Sequence, residues 1–154
     1  MAEIHLIKHA PGAPGLRLLG LGPHLAPSNG IKQLQKLFET HAFWASNRNP
    51  RVIKKLLAHS SVVVTIWLDQ RLIGFGRATS DSICRAVLWD IVVEESLQGK
   101  GIGSMVVDSL VNSSTIKNVE KVYLMTTNSQ EFYTQVGFDP VKDQCLLIKK
   151  HISS

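Results

Sequence analysis

Two stretches of this 154-residue chain carry residues spaced for chemistry. In "ESLQGKGIGSMVVDSL", residues 95–110, Gly99, Gly101 and Gly103 stand directly before an amphipathic run. A helix start exposes unpaired N–H groups and the positive end of the macrodipole. Glycines there let a large anion reach the backbone, so the turn predicts a phosphate or pyrophosphate site. Spacing excludes two well-known loops. GxxxxGK[ST] fails because Lys100 precedes Gly101, and GxGxxG fails because the glycines run GxGxG. The acidic partner of the dinucleotide loop should end the next strand, whereas Glu120 begins it. The rival reading is a glycine-rich turn packed tightly on a strand.

The second set of candidates surrounds that turn. Asp90 interrupts the apolar run "AVLWDIVV", where a buried carboxylate is costly without a partner or a function. It reads either as a base, acting directly or through a water, or as a structural group bonded to backbone or paired with Arg77 or Arg85. Tyr133, in "NSQEFYTQVGFDP", is either a proton donor or a ring holding a short helix to the sheet. Asn128 has Glu131 three residues on, the spacing of an N-cap and its capping-box partner; a cofactor contact is the alternative. Phe43 and Trp44 are candidates for an arylalkylamine pocket, with core packing as their commoner use.

The elements that must position these residues follow from periodicity. The Gly/Pro-rich opening, residues 1–30, predicts irregular chain, with a short strand around Leu16–Leu21 at most; "EIHLIKHA" reads as extended up to Pro11. Ile31, Leu34, Leu37 and Phe38 mark one face of a helix, and Pro50 suits the first turn of another. "VVVTIWL" and "RLIGFGRAT", joined at Asp69–Gln70, predict a hairpin, and "CRAVLWDIVV" a third strand. Ile102, Met105, Val106 and Leu110 predict a helix over 101–113, "EKVYLMTT" a strand, and "SQEFYTQV" a short helix closed by Gly137. "FDPVKDQCLLIKKHI" predicts a last strand or hairpin. The order is α, α, β, β, β, α, β, α, β: a mixed α/β fold with an antiparallel front and a β-α-β crossover.

Composition narrows the function classes. The chain is 44% hydrophobic and 19% charged, as globular domains are, and its length suits one domain over 1–154. No apolar run spans a bilayer and the N-terminus lacks a signal peptide's apolar core, so a cytoplasmic protein without a membrane partner is expected. The net charge of +5 favours an anionic ligand, but the basic residues are scattered, with no interleaved aromatics, which argues against nucleic acid. Cys84 and Cys145 form no CxxC and read as reduced and partly buried. His5 and His9 lack a third ligand, so no metal is expected.

"QGKGIG" in a strand–turn–helix setting resembles the Q/R-x-x-G-x-G/A signature of the GCN5-related N-acetyltransferases (GNAT). The later "NSQEFYTQVGFDP" is similar to that superfamily's second hallmark, and the element order resembles its fold. From Leu72 to Pro140 the chain looks most like the cyanobacterial and plastid branch, which includes plant serotonin N-acetyltransferases. The resemblance implies an acetyl-CoA-binding core over about 85–138 and transfer of acetyl to a primary amine, an arylalkylamine or a polyamine, in a ternary complex. It implies that Ile91, Val92 and Val93 pair with pantetheine, the amide of Val92 or Val93 facing the thioester oxygen. It further implies that Gln98, Gly99, Lys100, Gly101, Ile102, Gly103 and Ser104 hold the pyrophosphate, with Asn128 and Phe132 beside the cofactor. Tyr133 would then protonate the leaving thiolate, and Asp90 would take the amine's proton or orient it. Neither motif contains a cysteine, so an acetyl-enzyme is not expected. Peptide amines (an N-terminus or a lysine) are the other acceptor class, a non-catalytic acyl-CoA sensor is the rival, and a monomer or homodimer is expected.

Overall fold

β-Branched and apolar runs build the centre of the protein, which a computed structural model describes over residues 2–151. Five strands lie in sequence order: β1 (Ile4–His9), β2 (Val62–Leu68), β3 (Arg71–Ser80), β4 (Arg85–Val93) and β5 (Lys121–Tyr123). The first four pair antiparallel, and β5 runs parallel to β4. The β2–β3 turn at Asp69–Gln70 and the β4-helix-β5 crossover are as the sequence predicts.

Helices cover both faces of the sheet. On one face, α2 (Gly30–His41) and α3 (Pro50–Ala58) bury Leu34, Phe38, Ile53 and Leu57 against Trp67, Phe75 and Val92. Pro50 starts α3, and the Asn49 side chain caps it by accepting from Val52 N–H at 2.9 Å. On the other face, α4 (Ile102–Val111) packs Ile102, Val106 and Leu110 onto Ile66, Ile73 and Leu88. Its close approach depends on Gly76, where a Cβ would lie 2.5 Å from Val106 Cγ1. Met105, expected on the buried face, is 37% exposed. The short α5 (Gln130–Gln135) lies beyond β5 and ends before Gly137, whose φ of +105° fits the left-handed closing position.

Four expectations are corrected. Residues Pro14–Leu19 form a helix, α1, not a strand: Pro14 presets its first turn and Gly20, at φ +63°, closes it. β5 keeps only Lys121–Tyr123, because β4 diverges from it after Val87. Among the described residues no strand follows Pro140, and Leu146, Leu147 and Ile148 are 77–88% exposed; the last residue of the expected strand, 152, lies outside the described residues. Cys145 is exposed too, although both cysteines are free. Among the described residues no helix is long and apolar enough to cross a membrane, and no cluster of His, Cys, Asp and Glu could hold a metal. His5 instead meets Glu3, and His9 bonds Thr65 Oγ1 at 2.8 Å.

Candidate active site

The divergence of β4 from β5 opens the sheet, and two cavities occupy the gap. One, of about 450 Å³, lies in front of α4 and is lined by Gln98, Gly99, Gly101, Gly103, Ser104 and Phe132. The other, of about 330 Å³, lies between β4 and the chain after β5, with Trp44, Arg48, Asp90, Met125 and Asn128 among its walls. Ile91, Ser129 and Tyr133 line both, so the cavities meet there.

The glycine turn is bare in a specific way. Gly99 and Gly101 have φ of +81° and +85°, with nothing within 4 Å of where a Cβ would be. Their glycine is demanded by backbone conformation. Gly103 is demanded by space: its Cβ would meet the Phe132 ring at 3.0 Å. No side chain caps α4, and its first helical bond runs from Met105 N–H to the Gly101 carbonyl. The amides of Gly99 through Ser104 therefore donate to nothing among the described residues. Six consecutive free N–H groups at a helix start make a strong anion cradle. Gln98 closes the turn, donating from Nε2 to the Val93 carbonyl at 3.3 Å.

Strand phase decides which β4 amides face the gap. Glu94 N–H donates to the Ile73 carbonyl at 2.8 Å, and Gly74 and Phe75 oppose Val93 and Val92. Alternation then turns Val92 toward β3 and leaves the amides of Ile91 and Val93 on the open edge. Val92 is corrected accordingly: it is 4% exposed in the α2-side core and absent from the cavity wall, which leaves Val93 of the two expected donors. The Ile102 side chain lies in the α4-side core and Lys100 lines neither cavity, so what these two residues present to the turn is their free amides. One further reading changes. Asn128 faces the smaller cavity and caps nothing: the cap position of α5 is Ser129, whose side chain makes no bond to the helix amides, so the capping box with Glu131 does not form.

Asp90 sits at a β-bulge. The pairs Arg77↔Trp89 and Phe75↔Val92 leave Asp90 and Ile91 together opposite Gly76. Its φ is +56°, a conformation aspartate tolerates better than most residues. The side chain is 5% exposed. Oδ2 accepts from Arg77 Nε at 2.8 Å and Oδ1 from Trp44 Nε1 at 3.2 Å. Arg48 Nη1 lies 3.0 Å from Oδ1, a charge contact outside hydrogen-bond geometry. Of the expected partners, Arg77 is present and Arg85 pairs with Glu120 instead; Arg48 and Trp44 are partners that no sequence spacing marks.

Tyr133 is mostly buried, in edge contact with Phe132 and Phe138 at 5.0 and 6.1 Å between ring centres. Burial pushes its phenol up to about 12, so it holds its proton at neutral pH. Its hydroxyl has no hydrogen-bond partner among the described residues. Phe43 and Trp44, at right angles 5.2 Å apart, line the smaller cavity and are 68% and 47% exposed.

The profile of the Acetyltransferase (GNAT) family matches residues 30–138. An uncharacterized ycf52-like N-acetyltransferase of Prochlorococcus marinus is 30% identical over 120 residues, 73% of this chain and 66% of that protein. Chloroplastic serotonin N-acetyltransferase 2 of Oryza sativa subsp. japonica is 35% identical over 99 residues, 59% of this chain and 48% of its own. The chain thus spans about half to two thirds of these relatives' length. An aminoglycoside N-acetyltransferase solved in complex with CoA shares the fold, with a TM-score of 0.67 at 12% identity over 98% of this chain and 97% of that one.

Proposed function

Since the chain belongs to the GNAT acetyltransferase family, we propose that it passes acetyl from acetyl-CoA directly to a small primary amine in a ternary complex. The observation that carries this reading is the run of six free amides, Gly99 to Ser104, on a cavity that joins a second one at Tyr133. The residues fit the co-substrate: the amides suit a pyrophosphate, and the open edge of β4 suits an extended amide-bearing arm. Bound there, acetyl-CoA supplies a thioester whose acyl carbon the amine attacks.

The chain's own residues supply the rest. Val93 N–H, on the open edge, is placed to donate to an oxygen at the junction as negative charge develops. Tyr133, neutral and at the junction, gives its proton to the departing sulfur. Asp90 is better suited to positioning than to proton abstraction. Its lone pairs already serve Arg77 and Trp44, with Arg48 alongside, so it fixes the wall of the acceptor cavity. The amine's proton then leaves to water.

Phe43, Trp44 and Trp89 on the smaller cavity favour an acceptor with an aromatic or apolar body. A polyamine finds no free carboxylate on that wall. The test is free-thiol release from acetyl-CoA against a panel of aromatic amines, polyamines and peptides, with calorimetry of acetyl-CoA binding on the same protein. Tight binding with no transfer to any amine would leave the sensor reading in its place.

A further inference from the structure

The acceptor cavity contains a guanidinium that the protein engages by charge on one side and leaves without hydrogen bonds. Arg48 lines that cavity, is 24% exposed and lies 5.3 Å over the Phe38 ring. Its Nη1 is buried against Asp90 Oδ1 at 3.0 Å outside hydrogen-bond geometry, and its remaining side-chain N–H groups donate to nothing among the described residues. Guanidinium is a planar fork of donors matched to carboxylate oxygens.

Charge points the same way. Asp90 is the one carboxylate on the cavity wall, and it stands against two cations, Arg48 and Arg77. A simple ammonium adds a further positive charge to this cluster, and a polyamine adds several. An amine that carries its own carboxylate adds none, and its anion meets the Arg48 N–H groups that donate to nothing among the described residues. The distances are short. Arg48 touches Asp90, and the next residue, Ile91, lies where the two cavities meet. In an α-amino acid, amine and carboxylate share one carbon, so both ends can be satisfied together.

We infer that the preferred acceptor is an α-amino acid with an aromatic or large apolar side chain. Its carboxylate lies on Arg48, its side chain against Phe43 and Trp44, and its amine at the junction beside Tyr133. The inference rests on the acetyl transfer proposed above. In the step itself the neutral amine forms the C–N bond and the C–S bond breaks; the sulfur takes the Tyr133 proton, the nitrogen loses one to water, and water returns a proton to the phenolate. The products are an N-acetyl amino acid and CoA. A cavity of about 330 Å³ is at the small-molecule end of binding sites.

The experiment compares phenylalanine with phenethylamine, and tryptophan with tryptamine, in wild type, Arg48→Gln and Arg48→Lys. A peptide beginning with phenylalanine is the added arm. Wild type should favour each amino acid over its decarboxylated partner by about tenfold or more in kcat/KM, a preference Arg48→Gln loses and Arg48→Lys keeps in part. Binding of N-acetylphenylalanine and N-acetylphenethylamine to the CoA-bound protein, by calorimetry, reads the same preference without turnover. Equal preference ratios in wild type and Arg48→Gln, or stronger turnover of phenethylamine or of the peptide, would overturn the inference. Discrimination in binding without transfer to any amine would sink the transferase reading and uphold the carboxylate pocket. Transfer without discrimination would do the reverse.

Discussion

Asp90→Asn separates a base from a positioning residue, because it removes charge and keeps shape. Asparagine tolerates the φ of +56° at this bulge, so backbone strain does not confuse the outcome. The side chain is 5% exposed, with Arg77 Nε at 2.8 Å and Arg48 Nη1 at 3.0 Å. Without the carboxylate two guanidinium groups face each other uncompensated. Removing one partner of a buried pair costs about 3–5 kcal/mol. The arginine side chains are 15% and 24% exposed, so water relieves part of this and about 3 kcal/mol is expected. For a chain of this size that is a fall in Tm of roughly 6–12 °C. Calorimetric melting at pH 7 gives the shift, and adding Arg77→Met should recover part of it through a coupling of at least about 1 kcal/mol. The pH profile of kcat/KM should keep its acidic limb in the variant. A variant that melts with wild type, shows no coupling to Arg77, and loses both that limb and about 10²-fold in kcat would make Asp90 the base and refute the positioning argument.

Three further outcomes follow from the same geometry. Tyr133→Phe keeps the ring packing, so acetyl-CoA affinity by calorimetry should stay within about twofold while kcat falls roughly 10²-fold; equal turnover removes Tyr133 from the reaction. Gly101→Ala meets no neighbour within 4 Å but must hold φ at +85°, so it should cost about 1 kcal/mol or more of stability and weaken acetyl-CoA binding about tenfold; unchanged affinity would detach the turn from the cofactor. Burial pulls His9 down from 6.5 to about 4, so the unfolded chain takes the proton first, and stability present above pH 6.5 is lost as pH falls toward 4. That loss is about 3 kcal/mol, and denaturant titrations of wild type and His9→Gln at pH 7 and 4.5 should diverge at the lower pH only.

Much of this was legible in the residues. β-Branched runs gave β2, β3 and β4, helical spacing gave α2 and α4, and the glycine turn gave the cradle. What escaped were features set by neighbours distant in sequence. Arg48 lies 42 residues before Asp90, and no spacing rule links them. Trp44 reads as a pocket candidate in sequence, but its bond to Asp90 depends on how the chain between α2 and α3 lies on the sheet. Pro14 and Gly20 are ordinary start and stop signals for α1, but the leucines between them, in a glycine-rich stretch, suit a short strand as well as a helix. The C-terminal apolar run has strand-like residues but no strand partner among the described residues, and a strand needs one.

The bulge at Asp90 shows how one inserted residue makes the site. Ala86 and Leu88 face α4, and so do Ile91 and Val93, a spacing of two, three and two. An unbroken strand would have put Leu88, Asp90 and Val92 on that face, burying a carboxylate under α4. The extra residue flips the phase. It sends Val92 to the α2 core, leaves the Ile91 and Val93 amides on the open edge, and turns Asp90 toward Arg77. β4 pairs with β5 no further than Val87, short of the bulge, and the gap beyond becomes the two cavities. The 2-3-2 spacing of apolar residues was in the sequence as the trace of this break. Asp90 therefore matters first as the residue that occupies the bulge: its charge fixes Arg77 and Arg48, and the changed phase beyond it turns the Val93 amide to the open edge of the sheet.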